Sequence, residues 1–440
     1  MTTTTTRTIQ VDYLARVEGE SSLTLRIEDG VAVDAKLSIF EPPRFFEGIL
    51  RGRLYSEAPD VTARICGICP VAYLMSACHA MEDALGITVT EPIRALRRML
   101  YAGEWLESHA LHMFMLHAPD FLGYPDVAAM AKDHKAWVAR GLRMKKAGNA
   151  LMIVLGGREI HPINVRVGGF YKLPSRESLA PLAIELRAAL DDAELCLDWM
   201  ATFRFPHAHR DYELVALSHP TEYAVLEGRV LSNRGIDIAA ADFDATFEED
   251  HAAHSNALRA RVRGRGAYLT GPLARFALGF EKLHPRAQAA ARRIGLTPPV
   301  TNPFRSLLVR GVELIHAFEE ALRVLDGYVP TGPAFVAPTK LRAGVGHGLS
   351  EAPRGLLYHR YAIDDAGLIT DARIVPPTSQ NQLSIEEDLL AIGKDLATLP
   401  LPRATALAEQ SVRNHDPCIS CATHFLTLRR EEGEAPCAPG

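Results

Sequence analysis

Arg64-Ile65-Cys66-Gly67-Ile68-Cys69 near one end of the chain and Asp416-Pro417-Cys418-Ile419-Ser420-Cys421-Ala422-Thr423-His424 near the other decide how this sequence must fold. Each stretch carries one Cys-x-x-Cys pair, and neither is followed by a second ligand pair at zinc-finger spacing. The simplest use of both is a fold that brings the two ends together, giving one four-thiolate metal centre. Soft thiolates suit nickel, iron, zinc or iron–sulfur clusters, so the ligand set narrows the metal without naming it. On the two pairs alone, a structural four-cysteine zinc site fits as well.

A chain of 440 residues can bury a large core. With its metal ligands split between the ends, it is expected to fold as one interwoven unit over residues 8–424. Residues 1–7, rich in threonine, are expected to be a disordered tail, and residues 425–440 a polar extension. A hydrophobic content of 48% and a net charge of −5 fit a globular protein without a nucleic-acid footprint. The seven cysteines (66, 69, 78, 196, 418, 421 and 437) do not read as a disulfide framework in a chain this long. The N-terminus lacks the apolar core of a secretory signal. No apolar run of about 20 residues offers a membrane span. A cytoplasmic protein is expected.

Residues 8–40 alternate apolar and polar side chains around Glu28-Asp29-Gly30, the signal of a hairpin in a small antiparallel sheet. From Pro92 to about His117 the apolar period becomes helical. Further helices are expected over Arg176–Thr202, Asn302–Gly327 and Ile385–Leu396, with strands and loops over 222–250 and 355–376. The whole reads as an α-rich α+β fold, a long-helix core with small peripheral antiparallel sheets. The basic stretch Arg259 to Arg265 reads as solvated surface.

Arg-Ile-Cys-Gly-Ile-Cys and Asp-Pro-Cys-x-x-Cys-x-x-His, in this order, closely resemble the two nickel-binding signatures of the large, catalytic subunit of [NiFe] hydrogenases. The likeness extends over residues 16–424. It implies a nickel–iron centre with carbon monoxide and cyanide on the iron. Cys66 and Cys418 would be terminal nickel ligands, with Cys69 and Cys421 bridging to iron. In Arg16-Val17-Glu18-Gly19-Glu20, Glu18 resembles the carboxylate that carries protons away from a terminal cysteine, a role that burial near a metal supports by raising a carboxyl pKa. Glu47, closing Glu41-Pro42-Pro43-Arg44-Phe45-Phe46-Glu47, matches a ligand to magnesium or a similar hard ion, with His424 as another ligand. Arg354, in Glu351-Ala352-Pro353-Arg354-Gly355, resembles the guanidinium poised over the metals, with Asp120 and Asp416 as its carboxylate neighbours. Pro377 and Ser379, in a loop reading Val375 to Asn381, would line the iron's diatomic ligands. His161, in Gly156 to Pro162, reads as a packing or hydrogen-bonding residue.

The resemblance also implies partners and processing. Residues 425–440 would be removed after His424 once nickel is installed, by an endopeptidase acting with a maturation chaperone. Electrons from dihydrogen would pass to iron–sulfur clusters on a small subunit. No Gly-x-Gly-x-x-Gly fingerprint is evident here, so flavin and NAD(P) would sit on diaphorase subunits. The wording is most similar to the cytoplasmic, nicotinamide-linked hydrogenases and sulfhydrogenases. One position departs: the family often has histidine four residues after the second cysteine, where this chain has Tyr73. The competing readings are a quinone-binding respiratory subunit of the same fold, which dispenses with the cysteines, and a non-catalytic zinc-stabilised scaffold.

Overall fold

The computed structural model describes residues 6–42 and 45–423. Its first sheet is antiparallel, with strands Thr6–Val11, Ser21–Glu28 and Val31–Ile39 in that order. Asp29 and Gly30 join the last two with φ of 48° and 80°, the two positive values that a tight hairpin turn with the right strand twist requires. Thr6 and Arg7 therefore belong to a strand rather than to a disordered tail. Arg7 donates from Nη1 to the carbonyls of Ala397 and Leu399, both at 2.9 Å. Residues 1–5 and 424–440 lie outside the described residues, as does the expected cleavage after His424.

The core is built from helices Glu91–Leu111, Val127–Gly156, Arg176–Ala201 and Ser306–Gly327. The first two cross so closely that a Cβ on Gly148 would lie 2.6 Å from the carbonyl oxygen of Gly103. Only glycine permits this approach, and it brings two backbones together where side chains would hold them apart. The expected helix from Asn302 begins at Ser306, after a short 3₁₀ turn over Pro303–Arg305. Among the described residues, no helix is long and apolar enough to cross a membrane.

A second antiparallel sheet carries more of the chemistry. Strands Gly344–Ala352 and Gly355–Ile363 pair through Ala352 opposite Gly355, so Pro353 and Arg354 form the two-residue tip of a hairpin. The third strand, Ile369–Val375, ends beside the start of the second and runs into helix Pro377–Ala391. The Pro-rich segment is thus a helix N-terminus and not a loop. Proline suits that place because its missing N–H would have no intrahelical partner. The helix expected from Ile385 consequently begins eight residues earlier and ends at Ala391, with a short helix Gly393–Thr398 after it.

The expected basic surface is not bare. Arg259 and Arg261 pair with Asp250, Arg263 with Glu248 and Arg265 with Glu213. Strand Leu258–Val262 lies antiparallel to Phe247–His251, whose acidic residues supply part of this neutralisation.

A buried ionic hub ties the helices to the second sheet. Arg275 donates to Glu313 from Nε and Nη2 at 2.7 and 2.8 Å, and to Glu351 from Nη1 at 3.1 Å. Tyr223 and His109 also hold Glu313, at 2.7 and 2.9 Å. Burial works to raise the Glu313 carboxyl, but Arg275 and then His109 outweigh it and hold it well below the usual range. Glu313→Ala would leave the Arg275 charge undercompensated in the interior. A loss of about 3–5 kcal/mol is expected, read as a lower denaturation midpoint of the purified protein, since breaking a buried pair costs more than the pair contributes. An unchanged midpoint would show that Glu351 alone suffices for Arg275.

Candidate metal centre

Four buried thiols, Cys66, Cys69, Cys418 and Cys421, gather with their sulfur atoms all within 4.8 Å of one another. Cys66 leaves a short 3₁₀ turn over Ala63–Ile65, and Cys69 is the N-cap of helix Pro70–Leu85. Glu104 holds this segment from beneath, its carboxylate accepting from Val71 N and Ala72 N at 2.5 and 3.1 Å. Cys418 is the N-cap of a single helical turn, Ile419–Ala422, and Cys421 lies within it. The Cys418 amide donates to Thr378 Oγ1 at 2.9 Å.

Glu18 reaches the cluster through backbone pairing. Glu18 and Cys418 form a parallel bridge, and Ile419 N donates to the Glu18 carbonyl at 2.8 Å. Gly19, at φ 90°, makes this possible: a Cβ there would lie 2.8 Å from the Ile419 Cβ. The Glu18 carboxylate then accepts from Cys418 Sγ and from Ser420 N, both at 3.0 Å. Glu41 closes the same corner, accepting from Ser420 Oγ at 3.1 Å and Glu20 N at 2.9 Å.

Electrostatics show what the cluster wants. Four thiols packed in an apolar interior cannot all ionise without a cation. Cys66 is held well below the ordinary thiol range, by hydrogen bonds from Cys418 and Cys421 first. Its sulfur also accepts from Ile68 N and Cys69 N at 3.3 and 3.2 Å. Burial pushes the thiols of Cys418 and Cys421 up. A soft cation would draw off the remaining protons, as thiolate ligation requires.

The surroundings fit such a group. Arg354 approaches on its hairpin tip. It donates from Nε to the Asp416 carbonyl at 2.7 Å and from Nη2 to the Asp416 carboxylate at 3.3 Å. Arg354 Nη1, Ser379 Oγ and Tyr73 Oη are buried and have no hydrogen-bond partner among the described residues. Buried donors without partners are rare and mark places where a further group belongs. Tyr73 also feels Cys421 among its close charges, so its hydroxyl shares the pocket of the thiols. Pro377 and Ser379 sit in the first turn of their helix, one residue either side of the Thr378 that holds Cys418.

Asp120 is not a neighbour of Arg354 as expected. Its carboxylate accepts from Arg413 Nε and Nη2 at 2.8 and 2.9 Å and from Arg16 Nη2. These two guanidiniums, and not Arg354, supply its hydrogen bonds, and Asp416 is the carboxylate that pairs with Arg354. The arrangement still serves the site. Arg413 Nη1 donates to the Ala15 carbonyl at 2.9 Å and Arg16 Nη1 to the Leu116 carbonyl at 2.8 Å, so Asp120 clamps the Glu18 segment to the helix that leads towards Cys418. Asp120 reaches this place because the helical run widens to a π-turn over His112–His117. Such turns are rare and recur beside functional sites.

Glu47 lies in the short helix Phe46–Leu50 and accepts from Ile374 N at 2.7 Å. With Cys421 and Thr423 it lines a cavity of about 350 Å³. His424, its expected co-ligand, lies outside the described residues. His161 binds the Ala63 carbonyl through Nδ1 at 2.7 Å, steadying the turn before Cys66, in keeping with a hydrogen-bonding role.

Comparison with known proteins bears on all of this. The family model described as nickel-dependent hydrogenase matches residues 44–140. Sulfhydrogenase 1 subunit alpha of Pyrococcus furiosus is 32% identical over 429 residues, covering 96% of this chain and 98% of that one. The beta subunit of the NAD-reducing hydrogenase HoxS of Cupriavidus necator is 27% identical, covering 96% and 95%. A chain from the crystal structure of an NAD+-reducing [NiFe]-hydrogenase in the H2-reduced state superposes with a TM-score of 0.84 at 29% identity, covering 96% of this chain and 100% of that one. Near-complete coverage, a shared fold and four thiols gathered from both ends leave one conclusion: this chain belongs to the nickel-dependent hydrogenases, as a large, catalytic subunit of the [NiFe] type.

Proposed function

We infer that the chain catalyses the reversible conversion of dihydrogen into two protons and two electrons at a nickel–iron centre on Cys66, Cys69, Cys418 and Cys421. By the resemblance, Cys66 and Cys418 would hold nickel alone, while Cys69 and Cys421 would hold nickel together with an iron carrying carbon monoxide and cyanide. When bound, that centre supplies the Lewis acidity and electron storage that heterolysis of dihydrogen requires. The observation that carries the reading is the contact between Cys418 Sγ and Glu18 Oε2 at 3.0 Å, a ready proton path out of a buried thiolate site.

The chain's own groups divide the remaining work. Cys418 Sγ accepts the first proton, and Glu18, part-buried, passes it outward, while Asp416 keeps the Arg354 guanidinium charged and so a donor only. Arg354 is anchored to Asp416 at two nitrogens, which leaves Nη1 to polarise a small molecule in the site. Ser379 offers Oγ to a cyanide and Pro377 an apolar wall. Glu47, which lines the 350 Å³ cavity, would hold a magnesium or similar ion together with His424, joining the two ends of a unit that spans residues 8–424. Residues 425–440 are removed by an endopeptidase after a chaperone-assisted insertion of nickel. Electrons leave through iron–sulfur clusters on a small subunit and reach NAD(P) through flavin-bearing diaphorase subunits in the cytoplasm. The named relatives that reduce NAD+, together with the sulfhydrogenase likeness, support that last reading.

The test is the metal and mass content of the complex purified from its native host. One nickel per chain, iron, a subunit ending at His424 and hydrogen uptake with methyl viologen are expected. Stoichiometric zinc with an uncut tail would defeat the proposal.

A further inference from the structure

Behind Arg354, on the side of helix Ser306–Gly327, lies a small polar cavity that the chemistry above does not use. Its volume is about 10 Å³. That is the lower edge of the roughly 10–15 Å³ that one water needs. Arg310, Arg354, Asn414 and His415 are among the residues that line it, with Leu269 and Pro303 as apolar walls. All six are buried.

Beside Arg354, whose Nη1 is also bare, two of these side chains are unsatisfied in a way that buried polar groups rarely are. Asn414, 2% exposed, has neither Nδ2 nor Oδ1 hydrogen-bonded among the described residues. Arg310, 1% exposed, has no partner for Nε. Its Nη1 donates to the Asn414 carbonyl at 3.0 Å, and no carboxylate contacts its guanidinium among the described residues. Three such atoms left bare in the interior are unfavourable, since each gives up its hydrogen bonds to water for nothing in return. A water placed between these side chains would accept from Arg310 Nε and Asn414 Nδ2 and donate to Asn414 Oδ1. A halide ion would satisfy only the donors and would meet the Asn414 oxygen as a repulsive neighbour.

We propose that this cavity is a built internal-water site, held by Arg310 Nε and the Asn414 amide, and that the bound water fixes the turn presenting Asp416 to Arg354. The backbone makes the second half of the statement concrete. Ser306 Oγ at 2.8 Å and Arg310 Nη1 grip the Asn414 carbonyl from helix Ser306–Gly327. Two residues later Asp416 stands at φ 51°, an unfavourable left-handed conformation, and it carries both acceptors for Arg354. A water on the Asn414 side chain anchors the same turn from its other face. The water site stands on geometry alone; its effect on the metal centre rests on the hydrogenase reading above.

Crystals of the purified complex, with and without sodium bromide, test the first half. A spherical density peak within hydrogen-bond distance of Arg310 Nε and the Asn414 amide, without bromide anomalous signal, is expected. An empty cavity, or a bromide peak within it, would overturn the assignment. Asn414→Leu and Asn414→Ser test the second half. The leucine fills the space without polar atoms, so it should expel the water and shift the infrared bands of the iron's diatomic ligands. Serine keeps a hydroxyl and leaves room for water, so it should restore both. Wild-type bands and full nickel in the leucine variant would sink the positioning role, and if that variant does not fold, displaced bands in the well-folded serine variant would sink it too. Absence of nickel and of any such bands in the wild type would instead count against the hydrogenase reading, while the density peak still decides the water.

Discussion

Cys418→Ser is expected to yield a complex that assembles without nickel and takes up no hydrogen. Three consequences of one substitution converge. A serine oxygen is hard and stays protonated at neutral pH, so the site loses a soft anionic ligand. Glu18 loses the Sγ partner at 3.0 Å that joins it to the cluster. Cys66 loses the sulfur neighbour that ranks first among the groups favouring its thiolate. Removing an outer partner of a metal ligand typically costs 10–100-fold in affinity, so loss of the ligand itself should exceed about 100-fold. Metal analysis of the purified variant beside wild type reads the result. A full complement of nickel in the serine variant would mean that three cysteines suffice to hold it.

Glu18→Gln should separate metal binding from turnover. Glutamine is nearly isosteric and its amide oxygen still accepts from Ser420 N, so the corner built by Glu18, Ser420 and Glu41 should persist, and nickel with it. What glutamine cannot do is take up and release a proton. Loss of a positioned acid–base group costs roughly 10²–10⁴-fold, and hydrogen uptake should fall within that range. Nickel content and the infrared bands of the centre should match wild type. Turnover within a factor of about two of wild type, with nickel intact, would move the proton path to another residue.

Much of this arrangement can be read from residues alone, where one local rule acts without competition. Asp29-Gly30 makes its hairpin because few other pairs tolerate two positive φ values. The helices around Trp105 and Leu190 show themselves through a 3.6-residue apolar period. The cysteines announce a shared centre because soft ligands in pairs have few other uses. Helix Pro70–Leu85 is harder to read: nearly all of it is buried, so no polar stripe marks its phase. Asp120 shows why partners are harder than positions. Its place beside the site follows from the chain, but which guanidinium reaches it depends on where helix Leu401–Arg413 ends. Thr378, Glu41 and Glu104 fall in the same class. Each acts on a backbone N–H or hydroxyl supplied by a distant segment, and no local pattern marks such a pairing.

Glu18 and Cys418 touch although they are 400 positions apart in the sequence. No shorter nascent chain can make that contact. Throughout synthesis Cys66 and Cys69 must wait as an isolated pair, open to the commoner ions of the cell, until the last ligands emerge. Closing so long a loop is slow and entropically expensive, and it rewards the chain only at the end. Fidelity for nickel is therefore a problem of timing as well as of affinity: the first two sulfurs must stay free of other ions until the last two arrive.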